Sequence, residues 1–139
     1  MKNVILVKYG ELALRGKNRH LFEKKLINAL QKNLNNIGKY RVIREQGRIL
    51  IEDAAGDLDF ERVLPQIRTV LGIVAFCLCV KTDCLEMQHL KDVALQYMKK
   101  WYESDKFTFK VETRRADKRY PLNSREISAD IGGYIFEKI

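Results

Sequence analysis

Arg114, Arg115, Lys118 and Arg119 put four positive charges into six residues, opposed only by Asp117. Tyr120 borders the charge and Pro121 stiffens the exit. Cations that crowded repel one another unless an anion meets them, and fewer stay free if some pair with Glu112 or Asp117. A phosphate backbone is the large anion that Arg and Lys at this density suit; the alternative is a solvated charged loop. A second cluster, Lys8, Arg15, Lys17 and Arg19, surrounds a loop bounded by Gly10 and Gly16, with Glu11 against it. Glycines there would let backbone N–H groups approach an anion, or would simply join a strand to a helix. The spacing is neither that of a Walker A loop nor that of a dinucleotide fingerprint.

Other chemistry finds less support. Cys77, Cys79 and Cys84 form no Cys-x-x-Cys pair, and His20 and His89 lie far apart in the chain. Cys77 and Cys79, two apart on an expected strand, share a face and read as buried structural thiols rather than metal or redox groups. No acid pair, nucleophilic triad or metal set occurs at a motif spacing, so we expect no catalytic residue and no metal in these 139 residues.

The elements that must position the two loops follow from periodicity. Asn3 to Tyr9 is a β-rich run. Asn18 is placed to cap a helix carrying Phe22, Leu26, Ala29, Leu30, Leu34 and Ile37, with Gly38 to end it. Lys39 to Arg44 and Arg48 to Glu52 alternate around Gly47 as a hairpin. Asp57 and Asp59 open a second helix, in which Pro65 predicts a kink or a restart. Ile73 to Val80 is a strand. The order β-α-β-β-α-β is the ferredoxin-like pattern, and it closes near residue 80.

Beyond it, Asp83 and Glu86 have capping-box spacing for a third helix. Its stripe is Met87, Leu90, Ala94, Tyr97, Met98 and Trp101, which we expect to be core. Phe107 to Thr113 reads as a strand leading into the Arg114 loop. Asn123 or Ser124 with Glu126 starts a last helix, with Ile127, Ile131, Ile135 and Ile139 at four-residue steps. Gly132 and Gly133 within it suggest close approach of another backbone. The fold class expected is α+β: a ferredoxin-like domain over residues 1–80, then a truncated α/β unit over 81–139. One strand and two helices do not close a core, so a fragment of a longer protein is expected. Its exposed Ile faces invite self-association, which leaves a homodimer open.

Bulk properties describe a soluble globular domain whose basic charge suits nucleic acid or an anionic membrane surface, or serves no binding at all. Lys and Arg number 26 against 18 Asp and Glu, for a net charge of +8. The longest apolar run, Leu71 to Val80, is about half of the roughly 20 residues that a spanning helix needs. The short apolar start does not make a signal peptide. A cytoplasmic protein with no membrane partner is therefore expected.

Two stretches resemble a known family. Lys8-Tyr-Gly-Glu-Leu-Ala-Leu-Arg-Gly-Lys-Asn-Arg19 is similar to the N-terminal signature of tRNA 4-thiouridine synthetases, the tRNA sulfurtransferases. Arg114-Arg-Ala-Asp-Lys-Arg-Tyr-Pro-Leu-Asn-Ser-Arg-Glu126 resembles the characteristic segment of their THUMP domain. Leu71-Gly-Ile73, leading into a strand, is similar too. The resemblance implies a ferredoxin-like domain and the first part of a THUMP domain that together capture the tRNA acceptor end. In that family a following ATP-pyrophosphatase domain uses ATP and Mg to adenylate the uridine at tRNA position 8. A persulfide, delivered by a donor such as a cysteine desulfurase, then supplies sulfur, and some members serve thiamine synthesis. The Ser-Gly-Gly-x-Asp-Ser phosphate loop of that domain occurs nowhere in this chain. No sulfur-transfer role is therefore carried onto Cys77, Cys79 or Cys84, and no cofactor is expected within these residues. The RNA-contacting residues expected are Lys17, Arg19, Arg114, Arg115, Lys118 and Arg119, with Tyr120 for stacking. The alternatives are the RNA-binding half of another THUMP-containing modification enzyme, or a stand-alone ferredoxin-like module for a protein or a small acidic ligand.

Overall fold

A computed structural model describes residues 1–9, 19–45, 48–70, 73–102 and 107–139. The chain divides into two compact units, Met1–Lys81 and Thr82–Ile139.

The first unit is built on four strands, β1 (Lys2–Tyr9), β2 (Tyr40–Glu45), β3 (Arg48–Asp53) and β4 (Ile73–Lys81). Helix α1 (Arg19–Leu34) joins β1 to β2, and α2 (Phe60–Ile67) joins β3 to β4. The sheet order is β2-β3-β1-β4 with every neighbouring pair antiparallel. This is the ferredoxin-like arrangement that the element order implied. Residues two apart share a sheet face. Ile5 and Val7 of β1 pair with Ile51 and Ile49 of β3, and Val42 of β2 faces Ile51. Together they make the face on which Leu26, Leu30 and Leu34 of α1 and Phe60, Val63 and Ile67 of α2 are buried.

Local chemistry sets the helix ends. After α1 the Gly38 amide donates to the Leu34 carbonyl at 3.2 Å. A Cβ on Gly38 would lie 3.1 Å from the Tyr40 ring, so the small residue serves both the stop and the close approach of β2. Asp59 caps α2, accepting from the Glu61 amide at 3.1 Å. Asp57 instead accepts from the Asn3 amide of β1, so it ties strand to loop and does not open the helix. Helix α2 runs through Pro65 without a restart. It is eight residues long, and Pro65 and Glu61 are both exposed. The carbonyl that proline leaves unbonded, that of Glu61, is therefore on a solvated residue. Asn18 and Gly47, expected at a cap and a turn, lie outside the described residues.

The second unit pairs α3 (Met87–Trp101) with α4 (Ser124–Lys138). Lys91 meets Asp130 at 2.9 Å, and the Tyr134 hydroxyl donates to Asp92 at 2.7 Å. The expected Asp83–Glu86 capping box at α3 is not formed: Glu86 is the N-cap and makes no side-chain cap bond. The box at α4 is complete, Asn123 accepting from the Glu126 amide at 2.8 Å while Glu126 accepts from the Asn123 amide at 3.1 Å. The α3 stripe is half-buried rather than core, and Trp101 at its end is exposed.

Residues 107–113 are not a strand. Phe107, Phe109, Val111 and Thr113 are half-buried and alternate with exposed Thr108, Lys110 and Glu112, with the period of two that the sequence shows. A ladder also needs a backbone partner, and the described residues of this unit include no strand to supply one. The segment is held to α4 by side chains, Thr113 bonding Ser128 at 2.7 Å. Gly132 would place a Cβ in ordinary contact with Val111 at 3.6 Å, and Gly133 faces open space. Among the described residues, neither glycine is required by close approach of a backbone.

Candidate nucleic-acid interface

In the second unit the basic loop leaves the irregular segment and ends at the α4 cap. Arg114 and Lys118 are exposed. Arg115 is half-buried and turns inward: its Nη1 reaches the carbonyl oxygens of Lys118, Tyr120 and Leu122 at 3.4, 3.4 and 3.1 Å. It folds the loop around itself. Arg119 forks onto Asp117, at 3.0 and 3.2 Å from Nε and 2.8 Å from Nη2. That pairing holds the Asp117 carboxyl below its ordinary range and raises the Arg119 guanidinium. Glu112 pairs with Lys110 at 3.3 Å. Of the four cations treated alike in the sequence, three are exposed, Arg119 among them while paired with Asp117, and Arg115 is committed to the backbone.

Tyr120 is fixed by its hydroxyl, which donates to the Leu85 carbonyl at 2.6 Å. Its ring, with Leu85, Met87, Pro121 and Leu122, lines an open apolar cleft of about 530 Å³ beside the loop. A ring held at its far end is a fixed platform on which a planar base can stack.

In the first unit a different arrangement gathers where β1 and β2 end and α1 begins. Arg19 opens α1, and Lys17 lies outside the described residues. One turn on, Glu23 is 2% exposed. Its Oε1 accepts from the Tyr9 hydroxyl at 2.8 Å and from Arg19 Nε at 2.8 Å, and its Oε2 lies 2.7 Å from Arg44 Nε. Burial pushes the Glu23 carboxyl up, but the bonds from Arg19 and Tyr9 and the charge of Arg44 outweigh it. The group sits below the usual carboxylate range. Burial and the bond to Glu23 also raise the Tyr9 hydroxyl, which remains a donor. Arg44 Nη1 stands 3.4 Å from His20 Nδ1. The sequence pattern singled out Arg19 but not Glu23, Tyr9, His20 or Arg44. A signal existed: Glu23 falls on the stripe of Leu26, Leu30 and Leu34, where a carboxylate must find partners.

The cysteines take no part in either cluster. Cys77 and Cys79 are half-buried, opposite Leu6 and Val4 on the sheet face away from the helices, and Cys84 is exposed. Burial, then the neighbouring Cys77, pushes the Cys79 thiol up. Among the described residues no group of three His, Cys, Asp or Glu is placed to hold a metal, and no helix is long and apolar enough to cross a membrane.

Comparison with known proteins places both units. The family described as the ThiI ferredoxin-like domain matches residues 4–77, and the THUMP domain family matches residues 85–139. The chain belongs to the ThiI family. Its curated relatives include a probable tRNA sulfurtransferase from Lachnoclostridium phytofermentans, 36% identical over 138 residues, which cover 99% of this chain and 35% of that protein. One from Acetivibrio thermocellus is 39% identical over 140 residues, covering 100% of this chain and 36% of that protein. This ThiI chain thus spans about a third of the length of the relatives it matches. Among solved structures, a Pyrococcus horikoshii Ot3 protein superposes with a TM-score of 0.75 at 28% identity, covering 97% of this chain and 44% of the other. A 4-thiouridine synthetase–RNA complex with bound ATP superposes with a TM-score of 0.74 at 28% identity, covering 100% and 34%.

Proposed function

We propose that this chain is the tRNA-binding region of a longer tRNA sulfurtransferase that makes 4-thiouridine at position 8, and that it captures the acceptor end. The supporting observation is that each ThiI-type unit carries its own outward-facing cations, Arg114 and Lys118 in one and Arg19 and Arg44 in the other. A-form RNA is read mainly through shape and backbone, which suits cations fixed in position better than base-specific donors. Tyr120 and its cleft suit an unstacked base from a single-stranded end. Lys17 belongs to the same contact set by its place in the signature. ATP and Mg act in the remaining two-thirds of the parent, which also receives sulfur from a persulfide donor in the cytoplasm.

The test is a salt titration of binding to an unmodified tRNA transcript. Each phosphate neutralised contributes about 0.7–0.9 to the slope of log affinity against log salt. Replacing both Arg114 and Lys118 by Ala should weaken binding and flatten the slope by about 1.5. An unchanged slope in a variant with wild-type circular dichroism would make the loop solvated surface.

A further inference from the structure

Two guanidiniums share one buried carboxylate in the first unit. Glu23 needs one cation to balance its charge, and it has two, together with the Tyr9 hydroxyl. A surplus positive charge is therefore held at this spot by the fold itself. Both arginines touch Glu23 through Nε. The guanidinium is planar, so an Nε contact leaves its Nη1–Nη2 edge turned from Glu23, and that edge matches two phosphate oxygens; on Arg44 the edge carries a 3.4 Å contact from Nη1 to His20 Nδ1. The side chains are 39% and 40% exposed, so both guanidiniums reach solvent. The His20 ring beside Arg44 is exposed as well. Three elements converge here: the end of β1 supplies Tyr9, α1 supplies Arg19 and His20 from its first turn and Glu23 from the next, and β2 supplies Arg44. The first-turn amides of α1 add partial positive charge, and no acidic residue occupies that turn.

We propose that Glu23 positions Arg19 and Arg44 as a paired guanidinium clamp for backbone phosphates of RNA, making Arg44 a contact residue and Glu23 a positioning residue. This rests on the RNA-binding reading above. An arginine side chain loses considerable freedom when it is held in one geometry. Glu23 meets that ordering cost before RNA arrives, as preorganised sites do.

The prediction has a sign that separates positioning from bulk charge. Glu23→Gln raises the net charge from +8 to +9. If Arg19 and Arg44 act only as diffuse charge, this variant binds a tRNA transcript more tightly. If Glu23 aims them, it binds about fivefold more weakly, as when a single backbone phosphate is no longer gripped. Arg44→Ala should weaken binding by a similar factor and lower the salt slope by about 0.7–0.9. Arg44→Lys should keep the slope and lose affinity, because the charge stays and the fork is gone. Tyr9→Phe removes one donor to Glu23 without changing charge and should cost about twofold. Thermal melts accompany each variant. If Glu23→Gln folds poorly, Arg44→Ala decides, since Arg44 is partly solvated and its slope reports phosphate binding rather than stability. Tighter binding by folded Glu23→Gln, or an unchanged slope in Arg44→Ala, overturns the clamp alone, provided the Arg114/Lys118 double variant still weakens binding. Absence of tRNA binding by the wild-type chain overturns the RNA reading with it.

Discussion

Arg114 and Arg115 are adjacent, identical in type and opposite in use. Arg114 projects into solvent, whereas the Arg115 guanidinium bridges three carbonyls of its own loop. The two should therefore fail differently when truncated. Arg115→Ala removes the donor from three backbone acceptors and should destabilise the second unit by about 1–2 kcal/mol. Arg114→Ala should stay within about 0.5 kcal/mol of wild type, as surface changes usually do. Urea titration followed by Tyr and Trp fluorescence checks both. Equal stabilities would mean that Arg115 is as dispensable to the loop as its neighbour.

At the scale of the element, the sheet is tied across its outer face by charge. Glu52 of β3, 3% exposed, meets Lys81 of β4 at 2.9 Å, Arg41 of β2 at 3.2 Å and Lys2 of β1 at 3.5 Å. One carboxylate thus touches a cation on each of the other three strands. The Lys81 hydrogen bond outweighs burial and, with the charges of Lys81 and Lys2, holds Glu52 below its ordinary range. A carboxyl depressed in the folded state contributes stability that is complete above its unfolded value, about 4.3, and is lost as pH falls toward the folded one. Glu23 is depressed too and adds in the same direction. The melting temperature should therefore hold steady near neutrality and fall below about pH 4.5. In Glu52→Gln the neutral plateau should be lower and the acid fall shallower. An acid fall as steep as that of wild type would assign the sensitivity to other carboxylates.

Over the whole molecule the two units differ in how much they bury. The first has a continuous core from Ile5 to Ile67. Among the described residues of the second, the buried apolar side chains are those of Ile127 and Ile135, while Phe136 is 79% exposed and Ile139, Tyr102 and Trp101 are also exposed. Apolar burial supplies most of the driving force for folding, so local opening should cost less in the second unit. Amide exchange should be faster in α3 and α4 than in β1, β3 and α1, at concentrations low enough to keep the chain monomeric. Equal protection would mean that the second unit gains cover elsewhere, as from a second copy of the chain.

The order of elements in the first unit, its ferredoxin-like arrangement and the family were legible in the sequence because they rest on local signals. Apolar stripes at helical and strand periods, a glycine after Leu34 and the Asn123–Glu126 cap each act within a few residues. Two motif stretches carried the family. What the sequence left undivided was the fate of each charge. Four cations in one loop look alike until the backbone folds and Arg115 is surrounded by carbonyls while Asp117 captures Arg119. Likewise Glu23 and Arg44 are 21 positions apart, and they meet only because β2 returns alongside α1. The Phe107 to Thr113 alternation set which side chains face inward but not whether a strand formed, since a strand depends on a neighbour that no local pattern specifies. Electrostatic pairing and ladder formation act between residues distant in the chain, and so only the tertiary structure decides them.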